Sequence, residues 1–249
     1  MLKIFQDNAD HGQALMDRDQ QLLDAARAGE QATVVRFYTW SEPTISLGFH
    51  QKTDLLQLDV MQEAGVPWVR RPTGGAAVLH SEELTYAIIV PDVLSPGFAS
   101  KIHELVGRSI ANGLRELGVK AQLDSRGEPM SALPNRESCF VRTSRWEVTV
   151  DGRKMVGSAQ RMLGSALLQH GSILTGRDHL RIVEFLNMES EKAKEVLRGK
   201  LAVKSTSIEQ ELNRTIPENS VREAMERSFH EVFSSLPDIR KDMIEHEAV

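Results

Sequence analysis

Apolar residues recur along this chain at two spacings, and the switch between them separates helices from strands. Leu15, Leu22, Leu23 and Ala26 fall at helical spacing within Ala14–Glu30, and Gly29 is placed to stop that helix. "TVVRFYTW" (33–40) is β-branched and aromatic and predicts a strand. A shorter strand is led by Pro43 and leaves at Gly48, and "DLLQLDVMQEAG" (54–65) returns to helical spacing. "VPWVRR" (66–71) starts a strand, and "LTYAIIV" (84–90) is apolar enough to be a central one. Ile102, Leu105, Val106, Ile110 and Leu114 share one face of a long helix over 99–119. A Pro-, Ser-, Gly- and charge-rich stretch at 124–138 predicts a loop. Residues 144–162 then alternate about Asp151-Gly152, a two-residue hairpin signal, and 164–174 is one more strand. Helical patterns fill 178–187, 194–201, 207–212 and 218–236. Antiparallel-looking strands interleaved with helices predict a mixed α/β (α+β) fold, a largely antiparallel sheet with helices packed on it. Residues 1–235 are expected to form a single domain and 236–249 a charged, frayed tail.

Composition narrows the function classes. The 249 residues suffice for one large domain, and 41% hydrophobic with 26% charged residues is ordinary for a globular protein. A net charge of −5 argues against a nucleic-acid partner bound through a basic surface. The start "MLKIFQDNADHG" has no apolar signal region, and no stretch approaches a membrane span, so no membrane partner and a cytoplasmic location are expected. Cys139 is the one cysteine, which rules out an intramolecular disulfide. No cysteine pair or His-x-x-x-His pattern suggests a metal site.

Three segments combine residue types that carry chemistry. In "RRPTGGAAVLH" (70–80) the paired glycines either turn a hairpin or let backbone approach a ligand, with the arginines ready for an anion. Arg70 and Arg71 point to opposite faces of a strand, so only one of them faces a pocket. In "DGRKMVGSAQRM" (151–162) Lys154 is either an exposed lysine blunting a sheet edge or a cation in a semi-enclosed place. Cys139, flanked by Arg136, Arg142 and Arg145, is either a packed thiol beside Phe140 or a thiolate favoured by those cations. His170, in an apolar strand, is a base or donor on one reading and a satisfied core histidine on the other.

Together these segments resemble the lipoate–protein ligase and octanoyltransferase superfamily. "RRPTGGAAVLHSEELTYAIIV" is similar to its Arg-Arg-x-Thr-Gly-Gly-Gly-Ala-Val-x-His signature, "DGRKMVGSAQRM" with "LLQHGSIL" to its second, and "WSEPTISLGFHQ" to its Pro-x-Ile-Ser-Leu-Gly strand. "LMDRDQQLLDA" resembles a degraded form of its opening helix, and the resemblance runs over roughly residues 1–233. It implies a fold related to biotin–protein ligases and class II aminoacyl-tRNA synthetases, with a pocket for an octanoyl or lipoyl group under the glycine turn. It implies a substrate site of Arg71, Thr73, Gly74, Gly75, Ala76 and His80 with Gly157, Ser158, Ala159, Gln160, His170 and Gly171. Lys154 would contact the acyl carbonyl. Ala76 stands where the family has a third glycine, and its methyl would narrow the approach.

The superfamily holds two chemistries. Ligases activate free lipoate with ATP and Mg through an acyl-adenylate; transferases take octanoyl from acyl carrier protein through a cysteine thioester and need neither. The Ser-Cys-Phe context of Cys139 resembles the nucleophile loop of LipM-type octanoyltransferases, so Cys139 and Lys154 are the expected catalytic pair. The implied acceptor is a lysine of a lipoyl domain or of the glycine-cleavage H protein. Arg136, Arg142, Arg145, Arg153 and Arg161 would supply a basic docking patch for the acidic carrier. An ATP-dependent ligase is the alternative, and a non-catalytic acyl- or lipoyl-domain-binding module is the alternative of another class.

Overall fold

The computed structural model describes residues 1–124 and 146–234. The predicted loop from residue 125 onward, Cys139 with its flanking Arg136, Arg142 and Arg145, and the tail 236–249 lie outside the described residues.

A five-stranded sheet organises the described chain, in the order β1-β2-β6-β11-β10. Its strands are β1 (Leu2–Gln6), β2 (Thr33–Tyr38), β6 (Glu83–Val90), β10 (Val156–Leu163) and β11 (Ala166–Leu174). β1 runs parallel to β2 and the other pairs are antiparallel. β6 is buried along its whole length, as its largely apolar sequence demands. On one face lies α1 (Gly12–Arg27); on the other, α3 (Pro96–Glu116) packs with α7 (Glu218–Phe233) over Val35, Tyr86 and Ile88. His11 caps α1, its ring accepting from the Ala14 N–H, and Ser95 caps α3 ahead of Pro96, so both helices start earlier than their apolar spacing indicates.

A small sheet, β4-β3-β5, corrects the hairpin reading of the glycine segment. β4 (Trp68–Arg70) is parallel and β5 (Val78–His80) antiparallel to β3 (Thr44–Leu47). The Thr73–Ala77 turn therefore carries the chain past β3 instead of joining paired neighbours. Under this sheet pack α2 (Leu58–Glu63), α4 (Ile182–Phe185) and α5 (Glu191–Lys204), through Met61, Phe185 and Leu201.

The Asp151-Gly152 turn forms as expected, with φ of 48° and 75°. It links β8 (Glu147–Val150) to β9 (Arg153–Lys154), and β7 (Gln122–Asp124) completes that sheet. The alternation does not continue as one hairpin to Met162. After Lys154 the chain changes partners, and β10 joins the large sheet against β11. α6 (Ile208–Leu212) follows α5.

Candidate active site

Strand register decides which residues reach which face. Gly157, Ser172, Thr85 and Tyr38 form one cross-strand row, and Ala159, His170, Ala87 and Arg36 another. Both lie on the α1 side, where Tyr38 and Ala87 join the α1 core. The row between them, Ser158, Gly171, Tyr86 and Phe37, belongs to the opposite face, with Tyr86 and Phe37 in the core under α3 and α7.

Between the α1 face and the small sheet is a pocket of about 370 Å³. Met16, Tyr38, Trp40 and Val78 give it an apolar wall. Arg71, His80 and His170 reach it, and β10 and β11 contribute Gly157, Ser158, Ala159 and Gly171. Small residues are required here. Gly157 and Ala159 face the pocket with no side chain beyond a methyl, so the floor there is close to bare backbone, while a Cβ on Gly171 would stand 2.9 Å from the Tyr86 ring on the far face.

The remaining residues of the expected site fall elsewhere. Gly74, Gly75 and Ala76 do not line the pocket; their turn is held by Arg71. That guanidinium donates to the carbonyls of Gly74 (2.8 Å), Ala76 (2.7 Å) and Ser46 (3.1 Å), and to Ser46 Oγ (3.1 Å). Arg70 donates to the carbonyls of Gly48, Phe49 and Gln51. β4 ends at Arg70, so strand alternation does not extend to Arg71, and both arginines organise backbone. Gly75 adopts φ +96°, which favours glycine. Gln160 is on the α3 face, donating to Gln169 Oε1 (2.8 Å) and the Ala99 carbonyl (3.1 Å). Ser158 offers the pocket backbone, because its Oγ bonds Tyr86 Oη at 2.7 Å on that same far face. Burial pushes the Tyr86 hydroxyl up to about 12.

Two carboxylate–histidine–hydroxyl chains flank the pocket. In one, Asp19 Oδ2 meets His170 Nδ1 at 2.9 Å and Thr73 Oγ1 meets His170 Nε2 at 2.7 Å. Burial is the main cause pushing the His170 pKa down, so the ring is neutral at pH 7. Asp19 accepts from Nδ1–H, and Nε2 accepts the Thr73 hydroxyl proton. In the other chain, Glu83 Oε1 meets His80 Nδ1 at 2.8 Å and Ser46 Oγ meets His80 Nε2 at 2.7 Å. Both ring nitrogens of each histidine are engaged. These bonds fix the glycine turn and β3. Asp19 is fully buried and also pairs with Arg36 Nη1 and accepts from Tyr38 Oη.

Lys154 corrects the edge-lysine reading. It is 2% exposed, and its Nζ lies 2.6 Å from Oε1 of the equally buried Glu147. Its carbonyl accepts from the Thr206 N–H at 2.9 Å, pinning β9 to the segment before α6. Lys154 does not line the α1-side pocket. Its charge reaches His103 on α3, whose pKa is lowered to about 4, by burial first and by Lys154 second. Of the expected basic patch, Arg153 pairs with Glu211 at 2.8 Å, while Arg161 donates to the Pro72 carbonyl and covers the Phe49 ring. The two arginines therefore serve different contacts.

Asp19, Glu83 and Glu147 were not anticipated. Asp19 had a readable signal: it stands four residues from both Leu15 and Leu23, a charge on the buried face of an amphipathic helix. Arg36 inside "TVVRFYTW" is its counterpart. Glu83 and Glu147 precede or open strands and carry no such mark.

Among the described residues no cluster of three His, Cys, Asp or Glu side chains is arranged to hold a metal ion, and no helix is long and apolar enough to cross a membrane.

Residues 12–230 match the lipoyl protein ligase A/B catalytic domain. The octanoyltransferase LipM of Anoxybacillus flavithermus is 35% identical over 221 residues, 86% of this chain and 80% of the relative. That of Lysinibacillus sphaericus is 37% identical over 204 residues, 78% and 72% of the two chains. Among solved structures, the bipartite lipoate protein ligase of Thermoplasma acidophilum superposes with a TM-score of 0.68 at 21% identity, covering 94% of this chain and 83% of the other, and so shares the fold. With the family model spanning most of the chain and these relatives matched over most of their length, the protein belongs to the lipoyl protein ligase A/B catalytic domain family.

Proposed function

We infer that this protein is an octanoyltransferase of protein lipoylation, taking octanoyl from acyl carrier protein through a thioester on Cys139. The observation that carries the reading is identity of 35–37% over most of the chain to relatives named octanoyltransferase LipM. The α1-side pocket supports it as the acyl slot: an apolar wall, a glycine floor, and polar side chains bonded to one another within the protein.

In the first step the Cys139 thiolate attacks the carrier thioester carbonyl, and the carrier thiol leaves. In the second, the ε-amine of an acceptor lysine attacks the acyl-cysteine, gives up its proton, and forms an amide while the Cys139 thiolate departs. The acceptor is a lipoyl domain or the glycine-cleavage H protein. We assign to Lys154, which stands outside the acyl slot and paired with Glu147 just before β10, the positive charge that stabilises each tetrahedral oxyanion. The exchange of like thioesters followed by a downhill step to an amide requires neither ATP nor Mg.

The test supplies octanoyl-acyl carrier protein and an unmodified lipoyl domain without nucleotide. Octanoylated lipoyl domain is the expected product. Product only with ATP and free octanoate or lipoate would assign the protein to the ligases, and none under either condition would leave a binding module.

A further inference from the structure

A single residue, Trp40, lines both the acyl pocket and a larger, open cleft beyond it. It lies two residues past the end of β2 and is 9% exposed. Its indole stacks on the His80 ring, with centroids 4.0 Å apart and planes 11° apart. Its Nε1 donates to Thr85 Oγ1 at 2.8 Å, and Thr85 in turn donates to Glu83 Oε1 at 2.6 Å. Thr85 faces the first pocket and Glu83 the second, so this bonded row is a partition with the indole as its broad plate. The plate is braced on its other side too, where α1 crosses so close that a Cβ on Gly12 would meet the indole at 2.8 Å. Stacking, one hydrogen bond and this close packing hold the ring against lateral movement.

We propose that Trp40 is the end stop that sets acyl-chain length. The proposal rests on the reading of the α1-side pocket as the acyl slot. β10 is the edge strand of the large sheet and begins two residues past Lys154, and the proposal sets the reacting end there. From Gly157 the row crosses two strand intervals, through Ser172, to Thr85, which holds the indole. At about 4.8 Å per interval that span is about 10 Å. An extended eight-carbon acyl chain is of about that length, and added methylenes press on the indole. Beyond the plate the cleft carries Glu82, Glu83, Glu209 and Glu218, a polar surrounding that gives an apolar tail no reason to pass.

The test is a length series of octanoyl-, decanoyl- and dodecanoyl-acyl carrier protein, read as kcat/KM of transfer to a lipoyl domain. The unmodified protein is expected to fall about tenfold or more from octanoyl to decanoyl, since misfitted methylenes in a closed pocket cost at least that. Trp40→Leu is expected to invert the preference towards decanoyl, and Trp40→Phe, which keeps a plate, to retain octanoyl. A flat series in the unmodified protein would overturn the proposal even if no variant folds. A folded Trp40→Leu with unchanged octanoyl preference would overturn it as well. Failure of the unmodified protein to transfer any chain would instead remove the function on which the proposal rests.

Discussion

Lys154→Ala is expected to abolish octanoyl transfer and also to weaken the fold by about 3–5 kcal/mol, the usual cost of breaking a buried ion pair by removing one partner. A lysine beside a hairpin turn suggests a side chain that can be truncated freely. The structure says otherwise, because Lys154 and Glu147 are each only 2% exposed and meet at 2.6 Å. Two variants separate the effects. Lys154→Arg keeps a cation for Glu147 and should recover much of the stability. Transfer should stay down by about 10²-fold or more, because the planar guanidinium cannot place its charge where an ammonium stood. Transfer rates are compared after confirming folding by circular dichroism and urea titration. A folded Lys154→Ala with near-normal transfer would remove the residue from the mechanism.

The second large effect is on stability against acid. Burial lowers the pKa of His103 and of His179 to about 4, and lowers that of His170 as well. In the unfolded chain each titrates near 6.5. Between those limits the unfolded state binds protons that the folded state refuses, so stability falls as pH falls. At pH 5 the loss is about 2 kcal/mol for each of His103 and His179 by this linkage. The urea midpoint should therefore decline steadily from pH 7 to 4.5, and His179→Asn should flatten the slope. A midpoint constant across that range would show that these imidazoles protonate freely in the folded protein.

The large elements were legible because each buries one face. Leu15, Leu23 and Ala26 announce α1, and the largely apolar run of β6 announces its central place. β1 went unread: Leu2–Gln6 is a short edge strand with one half-buried side and little to mark it. Topology was less accessible than the elements. Nothing local tells that β4 and β5 both pair with β3, since pairing between segments distant in sequence depends on tertiary packing. Within the site, the glycine segment and the two histidines were found from chemistry that glycine and histidine advertise. The register of β10 was needed to learn that Gly157 and Ala159 face the pocket while Gln160 and the Ser158 hydroxyl turn away. The carboxylates that hold the histidines belong to α1 and β6, and only folding brings Asp19 to a residue 151 positions away.

Cys139 gives the most direct test of the account. The protein is incubated with octanoyl-acyl carrier protein, without ATP and without acceptor, and intact and peptide masses are recorded. The account predicts an octanoyl adduct on Cys139, released by hydroxylamine as a thioester is and discharged on adding lipoyl domain. Cys139→Ala should form no adduct and lose transfer. Full transfer by Cys139→Ala, with product dependent on ATP and free acid, would contradict the account and place the protein among the adenylating ligases.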